Sequence, residues 1–462
     1  MRYQALSIPD WFRENVIYQI NPRTFSEEGT LNAITKELPF INELGLKTVY
    51  LCPVFEADDS LNQSHWSDRQ KKSQTGNPKN PYRIRNYFNI DEEYGTREDL
   101  IRLIDTAHEL GMKVLLDLVY MHMGPEADII KRHPEFAKLD ENGQIVCNEY
   151  KFILLDFNSQ GLREYLWANM VYLLSEFDAD GFRLDVGDAV PADFWAEGRR
   201  RIQAIKADAV LLNEGSDMQR LSYCYDANYG IEWEHGLHQV IQGTKTLDEL
   251  RKEYDEVASR IPEGGLVLRA LETHDTVTDW PRAEALLGNA GMEMIQVMNC
   301  VMDGIPMVYC GNELADTAKV NMFANRFYKG EFEVTDRSRK HTEESLRRQM
   351  IFKTLSQLRQ DCETIIKGST NWVENSKPED VLSFAREYEG KRIVFVGNFR
   401  DYEIDTTIET GANENDVLMK NNCTLTDNGL HMGRHGYILL EYMSTSFGIG
   451  CGIQLESSQT LS

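Results

Sequence analysis

The sequence lacks both a long hydrophobic run and a secretory signal. Its first twenty residues, MRYQALSIPDWFRENVIYQI, mix polar and apolar side chains, whereas a signal peptide carries a continuous apolar stretch before small residues. Basic residues are also few, because 49 Lys and Arg stand against 74 Asp and Glu and give a formal net charge of −25. We therefore expect a cytoplasmic protein that binds a neutral small molecule, since this charge repels nucleic acid and anionic membranes. The oligomeric state stays open, and a homo-oligomer is one option.

Closely spaced cysteine pairs are absent as well. The eight cysteines are scattered along the chain: Cys52, Cys147, Cys224, Cys300, Cys310, Cys362, Cys423 and Cys451. Several lie in apolar runs, so we expect reduced, buried thiols, with a structural disulfide as the alternative. The sequence also contains no HExxH motif and no zinc-ligand spacing, and we predict no metal site and no cofactor.

Short β-rich runs alternate with amphipathic helical stretches, which is typical of a parallel α/β fold. Seven candidate strands are clear: Val16–Ile20, Thr48–Phe55, Lys113–Tyr120, Gly181–Val186, Ala209–Ser216, Leu266–Thr273 and Pro306–Cys310. An eighth, near Ser222–Tyr229, has a weak pattern. Candidate helices include Leu31–Leu44, Arg97–Leu110, Ser159–Phe177, Glu284–Asp303 and Ser345–Arg359. Eight such units predict a (β/α)8 TIM barrel.

Long connections and a change of pattern divide the chain further. The barrel, domain A, is expected over residues 1–120 and 159–361, with a long polar connection at 56–95 and a short domain B excursion at 121–158 after strand 3. Loops that follow barrel strands form the active-site rim, so we expect both to be functional. Short runs at Val381–Glu387, Arg392–Arg400, Glu403–Ile408 and Tyr437–Glu441 predict a C-terminal all-β domain, a β-sandwich over 362–443. We expect a loosely ordered tail at 444–462.

Four strands end in an acidic residue: Asp117, Asp185, Glu214 and Asp275. A buried strand that stops at a carboxylate must compensate for the charge, and the strand ends of a barrel converge on one pocket. A helix cap or a surface ion pair explains one such acid, but four together indicate a functional set.

Two of these acids differ in their surroundings. Arg183 and Asp185 are two residues apart on one strand, so both point to the same face, and residues 182, 184 and 186 face the helices. Arg183 is expected to lower the pKa of Asp185 and keep it anionic. Glu214 has no basic neighbour in sequence, and less polar surroundings would raise its pKa so that it holds a proton. Such a pair is what cleavage of a glycosidic bond requires, with retention when the carboxyls are about 5–5.5 Å apart.

Two histidines accompany the acids. His122 follows the third strand and His274 precedes Asp275. A lone histidine is more often a satisfied core residue, but two at strand ends beside acids favour recognition of sugar hydroxyls. Metal binding is the competing interpretation, and the sequence shows no tight ligand cluster for it.

These residues resemble the conserved regions of the α-amylase superfamily, glycoside hydrolase family 13. Asp117-Leu-Val-Tyr-Met-His122 resembles the first region, Gly181-Phe-Arg-Leu-Asp185 the second, Glu214 the third and Thr273-His274-Asp275 the fourth. Further similar segments are Ile17-Tyr-Gln-Ile-Asn-Pro-Arg23, Tyr87-Phe-Asn-Ile-Asp91, Leu155-Asp156-Phe-Asn158 and Tyr309-Cys-Gly-Asn-Glu313. The matches run in family order, and the β-rich module stands where the family has its domain C.

The resemblance implies a role for each residue. It implies Asp185 as the nucleophile, Glu214 as the general acid/base and Asp275 as the third carboxylate, which holds ring hydroxyls. It also implies a −1 subsite lined by Arg183, His122, Asp117 and His274, with Tyr82 as a stacking platform. Trp66, Trp233 and Trp280 are candidates for plus subsites, with a core or surface role as the alternative for each.

The sequence departs from the family pattern at several positions. Met121 replaces an Asn that often binds calcium in the family, and a thioether is unsuited to that hard cation, so we predict no calcium there. Asp188-Ala189 replaces a Lys-His pair, Thr273 replaces Asn, and Pro81 and Arg83 replace the Gly and Asp that usually flank Tyr82. Recognition beyond the −1 subsite is therefore expected to differ from that of endo-acting amylases.

The expected function is retaining hydrolysis of α-glucosidic bonds in maltooligosaccharides or related short α-glucosides. The resemblance is to an intracellular, oligosaccharide-acting α-glucosidase or cyclomaltodextrinase-like member. A transglycosylase or phosphorylase of the same family, with a sugar or phosphate acceptor in place of water, is the first alternative. A non-catalytic carbohydrate-binding protein is the second, and linkage and endo or exo action stay open.

Overall fold

Eight short parallel strands form the centre of the N-terminal unit in the computed structural model, which describes residues 3–408, 412–426 and 429–443. They are β1 (Ile17–Ile20), β2 (Thr48–Leu51), β3 (Lys113–Leu118), β4 (Gly181–Leu184), β5 (Val210–Asn213), β6 (Ala227–Asn228), β7 (Leu268–Arg269) and β8 (Ile305–Tyr309). Their hydrogen-bonded order is β6-β5-β4-β3-β2-β1-β8-β7, and a parallel bridge between Asn228 and Val267 brings the two ends together. The predicted barrel is confirmed, including its weak sixth strand.

Long helices follow most of the strands. They are α1 (Leu31–Glu43), α2 (Arg97–Glu109), α3 (Gln160–Phe177), α4 (Ala192–Gln203), α5 (Ile231–Ile241), α6 (Leu247–Arg260), α7 (Ala283–Val301) and α8 (Glu343–Asp361). The sequence predicts α1, α2, α3, α7 and α8 with nearly these bounds, and the structure adds α4, α5 and α6. Between β5 and β6 the chain makes only the 3-10 turn Met218–Ser222, which explains why that part of the pattern is weak.

Shorter elements complete the N-terminal unit. They are the helices Asp10–Glu14, Pro22–Phe25, Asp68–Lys72, Asp128–Arg132 and Thr276–Asp279, and the 3-10 turns Gln63–His65, Pro134–Phe136, Gly187–Ala189, Asn312–Leu314 and Arg337–His341. Several of them lie in the connections that follow the strands, so they shape the rim of the barrel.

Strand β3 shows how the side chains divide between the helices and the barrel interior. Its residues 114, 116 and 118 pack in the large core that also contains the apolar faces of α1 and α2. Leu115 packs inside the barrel with Ile17 and Tyr50. Asp117 lies on the same inner face, where it contacts Arg183 of β4. This alternation is the period of two expected for a strand with two buried faces.

The two long connections after β2 and β3 are ordered. The first contains a hairpin of Phe55–Ala57 with Ile84–Ile90 and the helix Asp68–Lys72. Its buried Arg83 donates hydrogen bonds to the backbone carbonyls of His65, Asp58 and Pro78. The second connection returns to the barrel where His122–Met123 pairs with Ile153–Leu154. Both loops are therefore built to hold their side chains at fixed positions on the rim.

The C-terminal unit, Glu363–Ser462, is the second of two compact units of the chain. After the helix Glu363–Lys367 it contains the strands β9 (Ser369–Trp372), β10 (Val381–Tyr388), β11 (Lys391–Asn398), β12 (Ile404–Thr406), β13 (Val417–Thr426) and β14 (Gly429–Met443), with the 3-10 turn Glu414–Asp416. They form one antiparallel sheet in the order β9-β10-β11-β14-β12, and β13 also pairs with β14. The sequence does not predict β9 and β13. The predicted tail 444–462 lies outside the described residues.

Seven of the cysteines lie in the described residues, and all seven are free thiols. Five are buried, as expected, but the expectation is wrong for Cys147, which is exposed, and Cys423 is half-buried. The eighth, Cys451, lies outside the described residues. None of the helices that the structure describes is both long and apolar enough to cross a membrane.

Candidate active site

A cavity of about 360 Å³ opens at the carboxyl ends of the barrel strands. Six of the eight predicted site residues line it: Tyr82, His122, Asp185, Glu214, His274 and Asp275. The other two, Asp117 and Arg183, are fully buried and contact this set by hydrogen bonds. The structure therefore brings all eight residues together, in a cavity of the size that small-molecule sites have.

The buried Arg183 guanidinium connects three carboxylates from three neighbouring strands. Its Nη1 donates to Asp117 Oδ1 at 2.8 Å and to Asp185 Oδ1 at 3.0 Å. Its Nη2 lies 2.8 Å from Glu214 Oε2 but is poorly aligned for a hydrogen bond, so this contact is an ion pair. Because the Asp185 and Glu214 oxygens contact the same guanidinium, they are at most about 8 Å apart. This limit is compatible with both retaining and inverting glycosidases.

Asp117 supports the site from below the cavity. Its Oδ2 accepts hydrogen bonds from Tyr50 Oη at 2.7 Å and from Tyr82 Oη at 3.0 Å, in addition to its contact with Arg183. The residue is 1% exposed and does not line the cavity. The implied role in lining the −1 subsite therefore does not fit its position, and its protein contacts make it an anchor for Arg183 and Tyr82.

Arg183 opposes the rise in the Asp185 pKa, but the expectation that it gives a net lowering is wrong. Burial raises the pKa of Asp185 well above its usual range, and the nearby Glu214 carboxylate raises it further, so these effects outweigh Arg183. Burial also raises the pKa of Glu214, as expected, although Arg183 opposes the shift. The error arises because sequence shows Arg183 beside Asp185 but not the three carboxylates that share it. Because the two carboxyls interact, their ionisations are properties of the pair and not of either residue alone.

Val186 breaks the strand alternation directly after Asp185. The prediction that it faces the helices is wrong, because β4 ends at Leu184 and Val186 adopts the left-handed conformation with φ 43° and ψ 44°. Its side chain lines the cavity and is 41% exposed. This conformation costs a non-glycine residue about 1–2 kcal/mol. It directs the Val186 N–H at Glu214 Oε2, which accepts its hydrogen bond at 2.8 Å.

Asp188 fixes the loop that carries Glu214. Its carboxylate accepts hydrogen bonds from Asn213 Nδ2 at 2.9 Å and from the backbone N–H groups of Ser216 and Asp217 at 2.7 and 2.9 Å. A β-carbon on Gly215 would overlap with Asp188 Oδ2. The departure from the family's Lys-His pair therefore has a structural reason, which sequence analysis missed.

A chain of hydrogen bonds sets the protonation of His274. The His274 backbone N–H donates to Gln19 Oε1 at 2.9 Å, so the Gln19 Nε2 amide faces His274 Nδ1, which accepts at 3.0 Å. His274 Nε2 therefore carries the hydrogen and donates to Tyr82 Oη at 2.6 Å. Burial lowers the pKa of His274, so the ring is neutral at pH 7. Gln19 on β1 is a further residue that sequence analysis missed.

Asp275 is held by an arginine from the first long connection. Arg69 Nη1 donates to Asp275 Oδ1 at 2.6 Å, while Arg69 Nε and Nη2 donate to the Asp279 carboxylate at 2.8 and 2.9 Å. The Asp275 side chain is 40% exposed. Burial raises the pKa of Asp275, but His274 and Arg69 outweigh it and lower the pKa to about 2. Asp275 is therefore ionised at neutral pH, and its oxygens face the cavity.

His122 also lines the cavity. Its Nε2 is 3.0 Å from Tyr82 O, and its ring stacks on Phe152 with 4.4 Å between the centroids. Burial lowers the pKa of His122 to about 4. Among the described residues its Nδ1 has no hydrogen-bond partner, so a neutral imidazole presents an unused polar atom at the site. Met121 also lines the cavity.

The three tryptophans considered for plus subsites have different surroundings. Trp66 and Trp233 are buried and donate to Ser60 O and Asn299 Oδ1, which indicates a core role for both. Trp280 lines a second cavity that shares Asp275 with the first, and its ring centroid is 4.4 Å from that of His238. Within the described residues, no group of three or more His, Cys, Asp or Glu is arranged to hold a metal ion. The absence of calcium stays a prediction.

Comparison with known proteins shows what this chain is similar to. The family model described as "Alpha amylase, catalytic domain" matches residues 10–143. A cyclomaltodextrinase from Geobacillus thermopakistaniensis is 27% identical over 68% of this chain and 58% of its own length. An intracellular maltogenic amylase from Bacillus subtilis is 22% identical over 84% of this chain and 69% of its own.

Among solved structures, a maltogenic α-amylase from Thermotoga neapolitana has a TM-score of 0.77 and 24% identity, covering 93% of this chain and 99% of that one. This likeness shows the shared fold. The chain spans about two fifths to three fifths of the length of the first curated relatives it matches. The match over residues 10–143, the relatives and the shared fold agree with the resemblance of the strand-end residues Asp185, Glu214 and Asp275 to the α-amylase superfamily, glycoside hydrolase family 13.

Proposed function

We propose that this protein is a retaining glycoside hydrolase that cleaves α-glucosidic bonds in short α-glucooligosaccharides. The observation that carries the proposal is the sharing of one guanidinium by Asp185 and Glu214 at the mouth of a sugar-sized cavity. The names of the relatives, cyclomaltodextrinase and maltogenic amylase, support this substrate class. One relative is called intracellular, which supports action inside the cell.

The first chemical step forms a covalent intermediate. The Asp185 carboxylate attacks the anomeric carbon, while Glu214 gives its proton to the glycosidic oxygen as the bond to the leaving sugar breaks. The shared proton of the pair supplies this acid, provided that it lies on Glu214 when substrate is bound. Because Arg183 contacts an oxygen of each group, it stabilises the Asp185 carboxylate before the step and the Glu214 carboxylate after it.

The second step releases the sugar. Glu214, now a carboxylate, takes a proton from a water molecule, and the water oxygen attacks the anomeric carbon as the bond to Asp185 breaks. The product keeps the α configuration because the carbon has been inverted twice. The Val186 N–H and Arg183 both stabilise the anionic form of Glu214 that this step needs.

The remaining side chains hold the sugar ring. Asp275 is ionised because its pKa is about 2, and a carboxylate accepts hydrogen bonds from two ring hydroxyls. His122 offers its Nδ1, and His274 Nε2 lies 3.2 Å from Asp275 Oδ2. The stacked pair of Tyr82 and His274, with centroids 5.2 Å apart, forms a flat wall for the apolar face of the ring.

Proton NMR of a reaction with maltotriose tests the proposal. We expect the α anomer of the new reducing end to form first, and an Asp185→Ala variant to form no product above background. First appearance of the β anomer would contradict retention. Added maltose as an acceptor separates hydrolysis from glycosyl transfer, since transfer gives longer oligosaccharides. Sugar binding without turnover on any α-glucoside would favour the non-catalytic alternative.

A further inference from the structure

A fourth carboxyl lines the cavity in a position that the mechanism does not use. Glu234 lies in the first turn of α5, directly after the short strand β6, and its residue is only 5% exposed. Strand β6 lies beside β5, which ends before Glu214, and bridges toward the segment that leads to Asp275. Glu234 therefore stands between the acid/base residue and the third carboxylate on the rim.

The contacts of Glu234 are unusual for a buried structural carboxyl. Thr273 Oγ1 donates to Glu234 Oε1 at 3.1 Å, and in the part of the chain that the structure describes no cation pairs with this carboxyl. Asp226 provides a contrast, because Arg199 Nη2 neutralises it at 2.7 Å and the Leu211 N–H satisfies its other oxygen. A buried polar group needs partners. The cavity in front of Glu234 is where such a partner would bind.

The charge state of Glu234 suits contact with a neutral hydroxyl. Burial raises the pKa of Glu234 to about 8, and the carboxylates of Asp275 and Glu214 add to the shift, although hydroxyl contacts from Thr273 and Thr276 oppose it. The group is therefore mostly protonated at pH 7. A protonated carboxyl offers one O–H donor and further acceptor capacity, so it can exchange two hydrogen bonds with a sugar hydroxyl.

The position of Glu214 tells which sugar Glu234 would contact. In the proposed mechanism Glu214 reaches the oxygen that joins the two sugars, and Asp185, His122 and His274 line the cavity on the side of the sugar that Asp185 attacks. Glu234 follows Glu214 around the rim, on α5, next to Ile231 and the exposed His235. This is the side on which the leaving sugar would lie.

We propose that Glu234 is a specificity-determining residue that binds a hydroxyl group of the sugar on the leaving-group side of the scissile bond. This inference rests on the proposed hydrolysis, which it extends by assigning a binding partner for the second sugar. Thr273 replaces an Asn of the family pattern, and the hydrogen bond from its hydroxyl orients the Glu234 carboxyl.

The test compares two substrates that differ in the leaving group. Maltose offers a sugar with hydroxyls, whereas 4-nitrophenyl α-glucoside offers an aryl group without them. We expect Glu234→Ala to lower kcat/KM for maltose about tenfold relative to the aryl substrate. Glu234→Gln keeps a neutral donor and acceptor, so its ratio stays within about threefold of the wild type. The matched control is Glu232→Gln on the same helix, whose carboxylate faces Arg260 at 3.6 Å and whose ratio stays unchanged.

The outcomes separate this inference from the proposed hydrolysis. An unchanged substrate ratio in an active Glu234→Ala enzyme would overturn the role of Glu234 and leave hydrolysis standing. If the wild type cleaves neither substrate, the proposed hydrolysis fails, and calorimetric binding of maltose then tests Glu234 alone. Weaker maltose binding by Glu234→Ala than by Glu232→Gln supports the contact, and equal affinity overturns it. Circular dichroism and melting of both variants identify a folding defect, in which case Glu234→Asp, which retracts the carboxyl by one methylene, replaces Glu234→Ala.

Discussion

Replacement of Glu214 by Gln tests whether it shares a proton with Asp185. The Asp185 and Glu214 oxygens that contact Arg183 are at most about 8 Å apart. If both carboxyls were ionised, their charges would repel by about 2 kcal/mol at an effective dielectric constant of about 20. The amide keeps the shape of the side chain and an oxygen for the Val186 N–H. Because this repulsion arises only when both carboxyls are ionised, the amide removes the second ionisation of the pair and leaves the first ionisation, that of Asp185 beside a neutral group, nearly unchanged.

The assay is the pH dependence of kcat/KM. On maltotriose the wild type is expected to show a bell, because Asp185 must be ionised and Glu214 protonated. The variant loses the acid and falls by about 10²- to 10⁴-fold on this substrate. On α-glucosyl fluoride, whose leaving group needs little protonation, we expect a much smaller loss, no alkaline limb, and an acid limb close to that of the wild type, because Glu214 is already neutral where Asp185 ionises.

The matched control for this experiment is again Glu232→Gln, which keeps the bell because its carboxylate pairs with Arg260 outside the cavity. The reasoning is refuted if Glu214→Gln retains the alkaline limb on maltotriose. It is also refuted if its acid limb moves to clearly lower pH, since Glu214 would then carry its charge when Asp185 ionises in the wild type.

Three further predictions concern the contacts around the acids. Arg69→Gln raises the pKa of Asp275 from about 2, which carbon-13 NMR titration of the carboxyl measures, and Arg69→Lys raises it less. The acid limb of kcat/KM stays in place because ionisation of Asp185 sets it. Ionised Asp275 stabilises the fold above about pH 4, and this stabilisation is lost as the pH falls toward 2. In Arg69→Gln the stabilisation is smaller by less than about 1 kcal/mol, because the Asp275 side chain is 40% exposed. A pH dependence of the melting temperature equal to that of the wild type would contradict this. Gly215→Ala displaces the Asp188 carboxylate, so we expect it to lower the free energy of unfolding by about 1–3 kcal/mol and to slow turnover. Unchanged kinetics would contradict this, because the loop would then have adapted to the extra methyl group. A chelator is expected to leave the activity and the melting temperature unchanged, because the Met121 thioether is unsuited to calcium. A loss of activity that added calcium restores would contradict this.

The residues that sequence analysis found are those that end apolar strands. Asp117, Asp185 and Glu214 each interrupt or follow a run of buried side chains, so the local pattern marks them and the barrel brings them together. The same reasoning located β6 only weakly, because the strand is two residues long and no helix separates it from β5.

The residues that were missed act through contacts between distant parts of the chain. Arg69 lies 206 positions from Asp275 and Gln19 lies 255 positions from His274, so neither has a local pattern that marks it. Glu234 lies in an amphipathic helix that resembles any other charged helix in sequence. The wrong prediction for the Asp185 pKa has the same origin, since burial and neighbouring charge depend on the folded barrel.

The sharing of Arg183 among acids of β3, β4 and β5 links assembly of the barrel to its chemistry. Pairing of these three strands brings the acids together in a buried region, where the guanidinium supplies their common counter-ion. Loss of Arg183 is therefore expected to reduce the amount of folded protein in a cell, in addition to any effect on the rate of the enzyme.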